Sequence, residues 1–552
     1  MPFPPFDRRR FVKGLGYAIA VATVPRPLLV RLGRSWEPVP PIQDPRLKEL
    51  TARALEAART AGAIYADVRL TRDRSRSIHG GGTCSDAENL EAGVRALVNG
   101  YWGFASGPIW SPDEMVRLGQ EAAHQARSNS LGGSREVDLA PRPVVTDGHW
   151  VMPVQHDPFE VSPFEIMDFL EGEATAAARV GPHYELRNRQ ASSGWGARFY
   201  LQAKVFASSD GAYCTQQLYR STGDVSVTAQ PPGEPLVIRG VPALSSAGMG
   251  WELFTADRIP RVRNHSLREE IRRIMEGIEE DSRLPLKPVD VGRYDAVCSA
   301  LVTQALIFGT LTPATELDRA LGYEANADGT TYITDPFRML GTLQVGGPLL
   351  TLAADRSTPG GAATVQWDDD GVVPPECILV KAGVLNDFQT TRESAGWLKE
   401  RYAALGRPWR SNGCARAPSA IAPPMQFAAN VAAAPGREAL DYEDFVAGTT
   451  KGIAVEDIDE PSMDFQASSG EGHGRLYKIE RGKKVARLFS AAFLFHASEF
   501  WKSLRSLGGE ASLRRYGWEE DKGEPEQKCQ YSLTAPAAVV GQVAFIERGR
   551  KA

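Results

Sequence analysis

Histidine and cysteine carry most metal and nucleophilic chemistry in proteins, and their spacing limits both here. The eight histidines are His79, His124, His149, His156, His183, His265, His473 and His496, and no two lie three to five positions apart. A helical pair presenting two imidazoles to one metal ion therefore cannot form. The six cysteines come no closer than Cys377 and Cys414, which leaves no Cys-x-x-Cys metal or redox pair. Bridges between distant cysteines stay open, because spacing does not reveal them.

Other constellations are weaker. Asp368-Asp369-Asp370-Gly371 and Glu456-Asp457 with Asp459-Glu460 offer the hard oxygens that calcium takes, but neither follows an EF-hand spacing. They read as a turn and a solvated face. Gly470-Glu471-Gly472-His473-Gly474 resembles a phosphate cradle, which needs a following helix. Leu476, Lys478 and Ile479 alternate as a strand instead, so a flexible β-loop is expected. His149 and His156 bracket a loop. Neither a Gly-x-Ser-x-Gly elbow nor a Walker loop is present.

The elements that would position such residues are mixed. The chain has 552 residues, 42% hydrophobic and 24% charged, which suits two globular domains. Its net charge of −5 gives no electrostatic footprint for nucleic acid or an anionic membrane. Helical spacing runs over 45–62, 112–127, 159–180 and 266–278, with Ser111 as an N-cap. Ala66 to Leu70 alternates as a strand, and Gly93 to Ala105 reads as two strands about Asn99-Gly100, a strong hairpin signal. Strands are expected across 198–228 about Ser209-Asp210-Gly211. Beyond a boundary near Pro285–Pro288, further strands are expected over 347–353, 363–367, 378–380 and 474–479. Trp102, Trp110, Trp195, Trp251 and Trp367 are assigned to the core or a domain interface.

Arg8-Arg9-x-Phe11-Val12-Lys13 and the apolar stretch to Val24 resemble a twin-arginine export signal, too short to span a bilayer. Residues 1–24 are accordingly read as a signal and 25–44 as a linker. The expected location is periplasmic or extracellular, with the cytoplasm as alternative, and no membrane span remains once the signal is removed.

Five segments, in order, then carry a family resemblance. They are Ala66-Asp67-Val68-Arg69 with Gly93 to Ala105, Thr315 to Asn326, Asp368 to Gly371 with Val380 to Leu385, Glu499 to Leu504, and Lys522-Gly523-Glu524-Pro525 with Gln527. Together they are similar to the TldD/PmbA metallopeptidases, also called modulators of DNA gyrase. The resemblance implies an α+β fold, with an N-terminal α/β domain over 45–285 and a β-rich, barrel-like domain over 286–552. It also implies a zinc site made by a His-Glu-x-x-x-His element and a cysteine near the C-terminus.

Anchored on Thr315-Glu316-Leu317-Asp318, that element falls on residues 308–313. Phe308 and Pro313 replace the two histidines and Gly309 the glutamate. Anchored on Lys522-Gly523-Glu524-Pro525, the cysteine falls near 520, which is Glu520, with Cys529 nine positions on. A ring offers zinc no lone pair, glycine no base, and proline breaks the helix. Family members pair metal-binding subunits with metal-free ones around a chamber that takes unfolded chains. The expectation is thus a zinc-free, non-catalytic subunit without cofactor. It would hold a peptide or unfolded chain, as a homodimer or with a metal-binding homologue, and would not bind nucleic acid. The alternatives are an active metallopeptidase with ligands relocated to His473 and His496, joined by Glu520, or a secreted binding protein unrelated to proteolysis.

Overall fold

Asn99 and Gly100 adopt φ of 54° and 80°, the pair of left-handed residues that a tight two-residue hairpin requires. They join strand Thr83–Val98 to strand Tyr101–Gly107, with Val98 opposite Tyr101. The computed structural model describes residue 42 and residues 44–80, 82–178, 184–187, 195–229, 237–459 and 461–548. The expected signal over 1–24 lies outside these residues, as does nearly all of the expected linker.

The first sheet has six strands in the order Tyr101–Gly107, Thr83–Val98, Tyr65–His79, Gly196–Ser208, Tyr213–Asp224 and Gly148–Val151. All neighbours are antiparallel except the last pair. Helices Pro45–Thr60 and Pro112–Asn129 pack together on it. The second helix starts where expected, with the Ser111 hydroxyl accepting from Glu114 N at 3.3 Å. Helix Leu267–Ser282 is capped likewise by Ser266.

Residues after 285 build two further large sheets and a two-stranded one, Ala415–Arg416 with Met425–Gln426. Strand Ser469–Glu480 pairs with Lys451–Ile458 through its second half and with Ala491–His496 through its first. Gly292–Cys298 and Ala538–Glu547 complete the circuit, so five strands close a ring. The other large sheet runs Val384–Leu385, Cys377–Lys381, Leu352–Asp355, Asn430–Ala433, Gln527–Ala535, Arg514–Lys522. Both features fit the expected α+β architecture with a barrel-like C-terminal part. Helix Ala300–Thr310 shares one core with the ring and this sheet, through Val302, Leu306, Val455, Phe493 and Leu533. It is apolar on nearly all sides because it is buried on nearly all sides. Among the described residues no helix is long and apolar enough to cross a membrane.

Five local expectations are corrected. Residues 363–367 are not a strand: side chains take the backbone N–H groups of Ala363 (Asn430 Oδ1) and Gln366 (Gln216 Oε1), which leaves no ladder. Gly347–Leu350 turns, and the strand begins at Leu352. The glycine-rich 470–474 run is strand rather than loop, since Phe493 and Ile458 pack where a side chain at Gly472 would stand. Finally, Asp368, Asp369 and Asp370 do turn, with Gly371 at φ 72°, but all three are buried. His149, expected in a loop, sits on strand Gly148–Val151.

Candidate functional site at the end of the buried helix

Helix Ala300–Thr310 stops because Pro313 has no N–H and opens a short 3-10 turn, Pro313–Thr315. Phe308 and Gly309 lie on its last turn. Glu520 comes from strand Arg514–Lys522, two hundred residues on. All four of Phe308, Gly309, Pro313 and Glu520 line one cavity of about 350 Å³, with Tyr531 and Arg319. Two independent sequence anchors therefore converge on one place.

At the helix end the wall of this cavity is aromatic and apolar, while Asp328, Asp464 and Glu519 to Asp521 line the rest. Phe308 stacks on Trp518 with ring centroids 4.9 Å apart, and on Tyr531 at 6.2 Å. Trp518 is held by its indole N–H, which donates to Gln304 Oε1 at 3.1 Å. A Cβ added at Gly309 would meet the side chains of Met463 and Pro461 at 3.3 Å, so any side chain there would need them to give by a few tenths of an ångström. The residues present do not fit zinc: neither Phe308 nor Pro313 has a lone pair to give, and Gly309 supplies no base.

Glu520 is engaged elsewhere. Its Oε2 accepts the Ala428 backbone N–H at 2.9 Å. Behind it lies a buried cluster in which Lys522 Nζ reaches Glu316 Oε2 at 3.0 Å and Asp318 Oδ2 at 2.9 Å. Asp318 Oδ1 also accepts from Gln426 Nε2 at 2.7 Å. Burial, then the negative charge of Glu520, pushes the Glu316 carboxyl well above its ordinary range. A hydrogen bond shared with Glu520 favours the protonated form as well. Burial alone would lower the Lys522 ammonium, but Asp318 and Glu316 outweigh it and hold it charged. The positive charge among these carboxylates is thus the chain's own lysine.

The sequence places Cys529 nine positions past Glu520 but does not reveal that the two face each other. In the hairpin of Arg514–Lys522 and Gln527–Ala535 it stands directly opposite Glu520. The signal was present: a turn over Gly523–Glu526 makes residues nine apart cross-strand partners. The thiol is buried and pushed above its usual range by that burial, so it offers no ready thiolate.

The alternative site does not assemble. Ser469 pairs with His496 and His473 with Ala492, which puts the two histidines four register positions apart, about 13 Å along the strands. Glu520 belongs to the other sheet. His473 Nε2 lies 3.4 Å from Asp459 Oδ2, and His496 is an exposed residue that starts helix Ala497–Lys502.

The acidic turn fastens the first sheet to the rest. Lys204 Nζ meets Asp369 Oδ1 at 2.8 Å, and Arg95 bridges Asp67 at 2.7 Å and Asp370 at 2.6 Å. Burial works against ionisation of Asp369, but Lys204 and Arg69 overcome it and hold the carboxyl at about 2.

Residues 291–547 match the family model of the PmbA/TldA metallopeptidase C-terminal domain. Those residues are thus a domain of the TldD/PmbA family. The chain's sequence is 20% identical over 354 residues to metalloprotease MJ0996 of Methanocaldococcus jannaschii, covering 62% of this chain and 69% of that protein. Among solved structures, a proposed modulator of DNA gyrase from Bacteroides thetaiotaomicron superposes with a TM-score of 0.65 at 14% identity, covering 92% of this chain and all of that one. TldE from Thermococcus kodakarensis gives 0.64 at 14% identity, covering 91% of this chain and 99% of that one. At such identity the two superpositions establish the TldD/PmbA fold and nothing finer.

Proposed function

We propose that this TldD/PmbA chain works in proteolysis as a zinc-free subunit that holds a peptide or completes a partner's chamber without cutting the chain itself. The observation that carries this reading is the Trp518–Phe308–Tyr531 stack at the position to which the family resemblance assigns the first histidine ligand. A peptide-holding role is supported by a second cavity of about 350 Å³ lined by Trp102, Tyr323, Trp397 and Gln426. In it Tyr323 stacks on Trp397 at 4.8 Å while remaining 64% exposed, a flat face that a peptide side chain can cover. The partner is a second copy or a metal-binding homologue, and export by the twin-arginine route places the work outside the cytoplasm.

Metal analysis of the purified chain, with peptide cleavage measured with and without chelator, tests the reading. The expected result is substoichiometric zinc and no chelator-sensitive cleavage by the chain alone. Stoichiometric zinc together with chelator-sensitive cleavage overturns it. Export is tested separately, by whether replacing Arg8 and Arg9 with lysine retains the protein in the cytoplasm.

A further inference from the structure

A third cavity, of about 380 Å³, lies between the first sheet and the C-terminal residues Arg356 and Arg416. Its charges do not balance. Three of its cations have carboxylate partners: Lys204 meets Asp369 at 2.8 Å, Lys528 meets Asp521 at 2.7 Å and Arg74 meets Asp86 at 2.9 Å. The other three do not. Arg220 donates to Ala362 O at 2.9 Å, Arg356 to Ala363 O at 3.0 Å and Gly413 O at 2.7 Å, and Arg416 to Gln530 O.

Arg356 and Arg416 are only 2% and 6% exposed, so water does little to screen them. Burial, and then the charge of Arg416, holds the Arg220 guanidinium down at about 9. Trp367 lines the same cavity and has a buried Nε1–H without an acceptor. The acidic groups of the cavity do not answer these donors. Asp369 is taken by Lys204 and the Ala417 N–H, while Glu91 accepts from Thr71. Asp73 bonds Gln202. Three like charges gathered with spare donors cost stability unless something negative joins them.

We propose that this cavity binds a small-molecule oxyanion, a carboxylate or phosphate group gripped by Arg220, Arg356 and Arg416. Guanidinium forks match the paired oxygens of either group. The site lies apart from the cavity of Phe308 and Glu520 and does not depend on the peptide-holding reading.

Calorimetric titration of the full chain with inorganic phosphate and with citrate, at ionic strength fixed by sodium chloride, provides the test. At least one anion is expected to saturate a single site, and phosphate alone or citrate alone assigns the group. Arg220→Gln and Arg416→Gln should each weaken binding at least tenfold. Each ligand-free variant should melt no lower than the parent, because one of three repelling charges is gone. Saturation by neither anion, or unchanged affinity in both variants, overturns the proposal. So does a ligand-free variant that melts several degrees lower, which makes the arginines structural. If a glutamine variant does not fold, Arg416→Lys keeps the charge and loses the fork. It should still weaken binding, and unchanged affinity there counts against the site.

Discussion

Lys522 Nζ and Glu316 Oε2 stand 3.0 Å apart with neither side chain reaching water. Asp318 shares the same ammonium at 2.9 Å. Removing the cation leaves carboxylates buried without a counter-charge, a change that costs about 3–5 kcal/mol in comparable pairs. Lys522→Met is therefore expected to lower the free energy of unfolding by that amount in urea denaturation. Adding Glu316→Gln should recover part of the loss, whereas a purely steric role for the lysine predicts no recovery.

Phe308 stacks on Trp518 and Tyr531 at the position where the family resemblance expects a histidine ligand. Phe308→Ala opens a cavity and forfeits both ring contacts, and large-to-small changes of this kind cost about 3 kcal/mol or more. Phe308→His is expected to cost less, since a ring is kept, and to gain no zinc. Metal analysis of Phe308→His decides the second point: stoichiometric zinc in it would mean that Gly309 and Pro313 do not block the site.

How far the sequence could be read follows the range of the interactions. The Asn99-Gly100 hairpin and the Ser111 cap were legible because each rests on residues within four positions of one another. The convergence of 308–313 with Glu520 was legible only through the family's motif order, since nothing local links them. What escaped depends on distant partners. The buried Asp368–Asp370 turn is acidic like a surface, and only Lys204, Arg95 and Arg69 make its burial possible. Cys529 beside Glu520, and the arginines of the third cavity, likewise meet only after the sheets have formed.

His473 and His496 are four register positions apart, so neither is expected to bind metal. His473→Ala and His496→Ala should leave the zinc content of the purified chain unchanged. His496 is exposed and unburdened by packing, and its replacement should change stability by no more than about 0.5 kcal/mol. A fall in zinc content on either substitution would revive a relocated centre.

Asp73 gives the chain a pH-dependent liability that a single substitution can isolate. Its carboxyl is pushed up to about 6, first by burial and also by Glu91, against the hydrogen bond from Gln202 and the charge of Lys204. The charge of Arg220, two strands away, also acts on it, and Asp73 Oδ2 is buried without a hydrogen-bond partner. In the unfolded chain the same group titrates near its ordinary value, about 3.9. The folded state therefore keeps the proton longer. The favourable term is fully present below about pH 4 and fades as pH rises through about 6. Asp73→Asn cannot ionise and should lack this slope. Relative to the variant, the parent should lose about 1–3 kcal/mol of stability between pH 4 and pH 7. Urea midpoints of both proteins across that range measure the difference, and parallel curves would mean that Asp73 is ionised in the folded protein throughout.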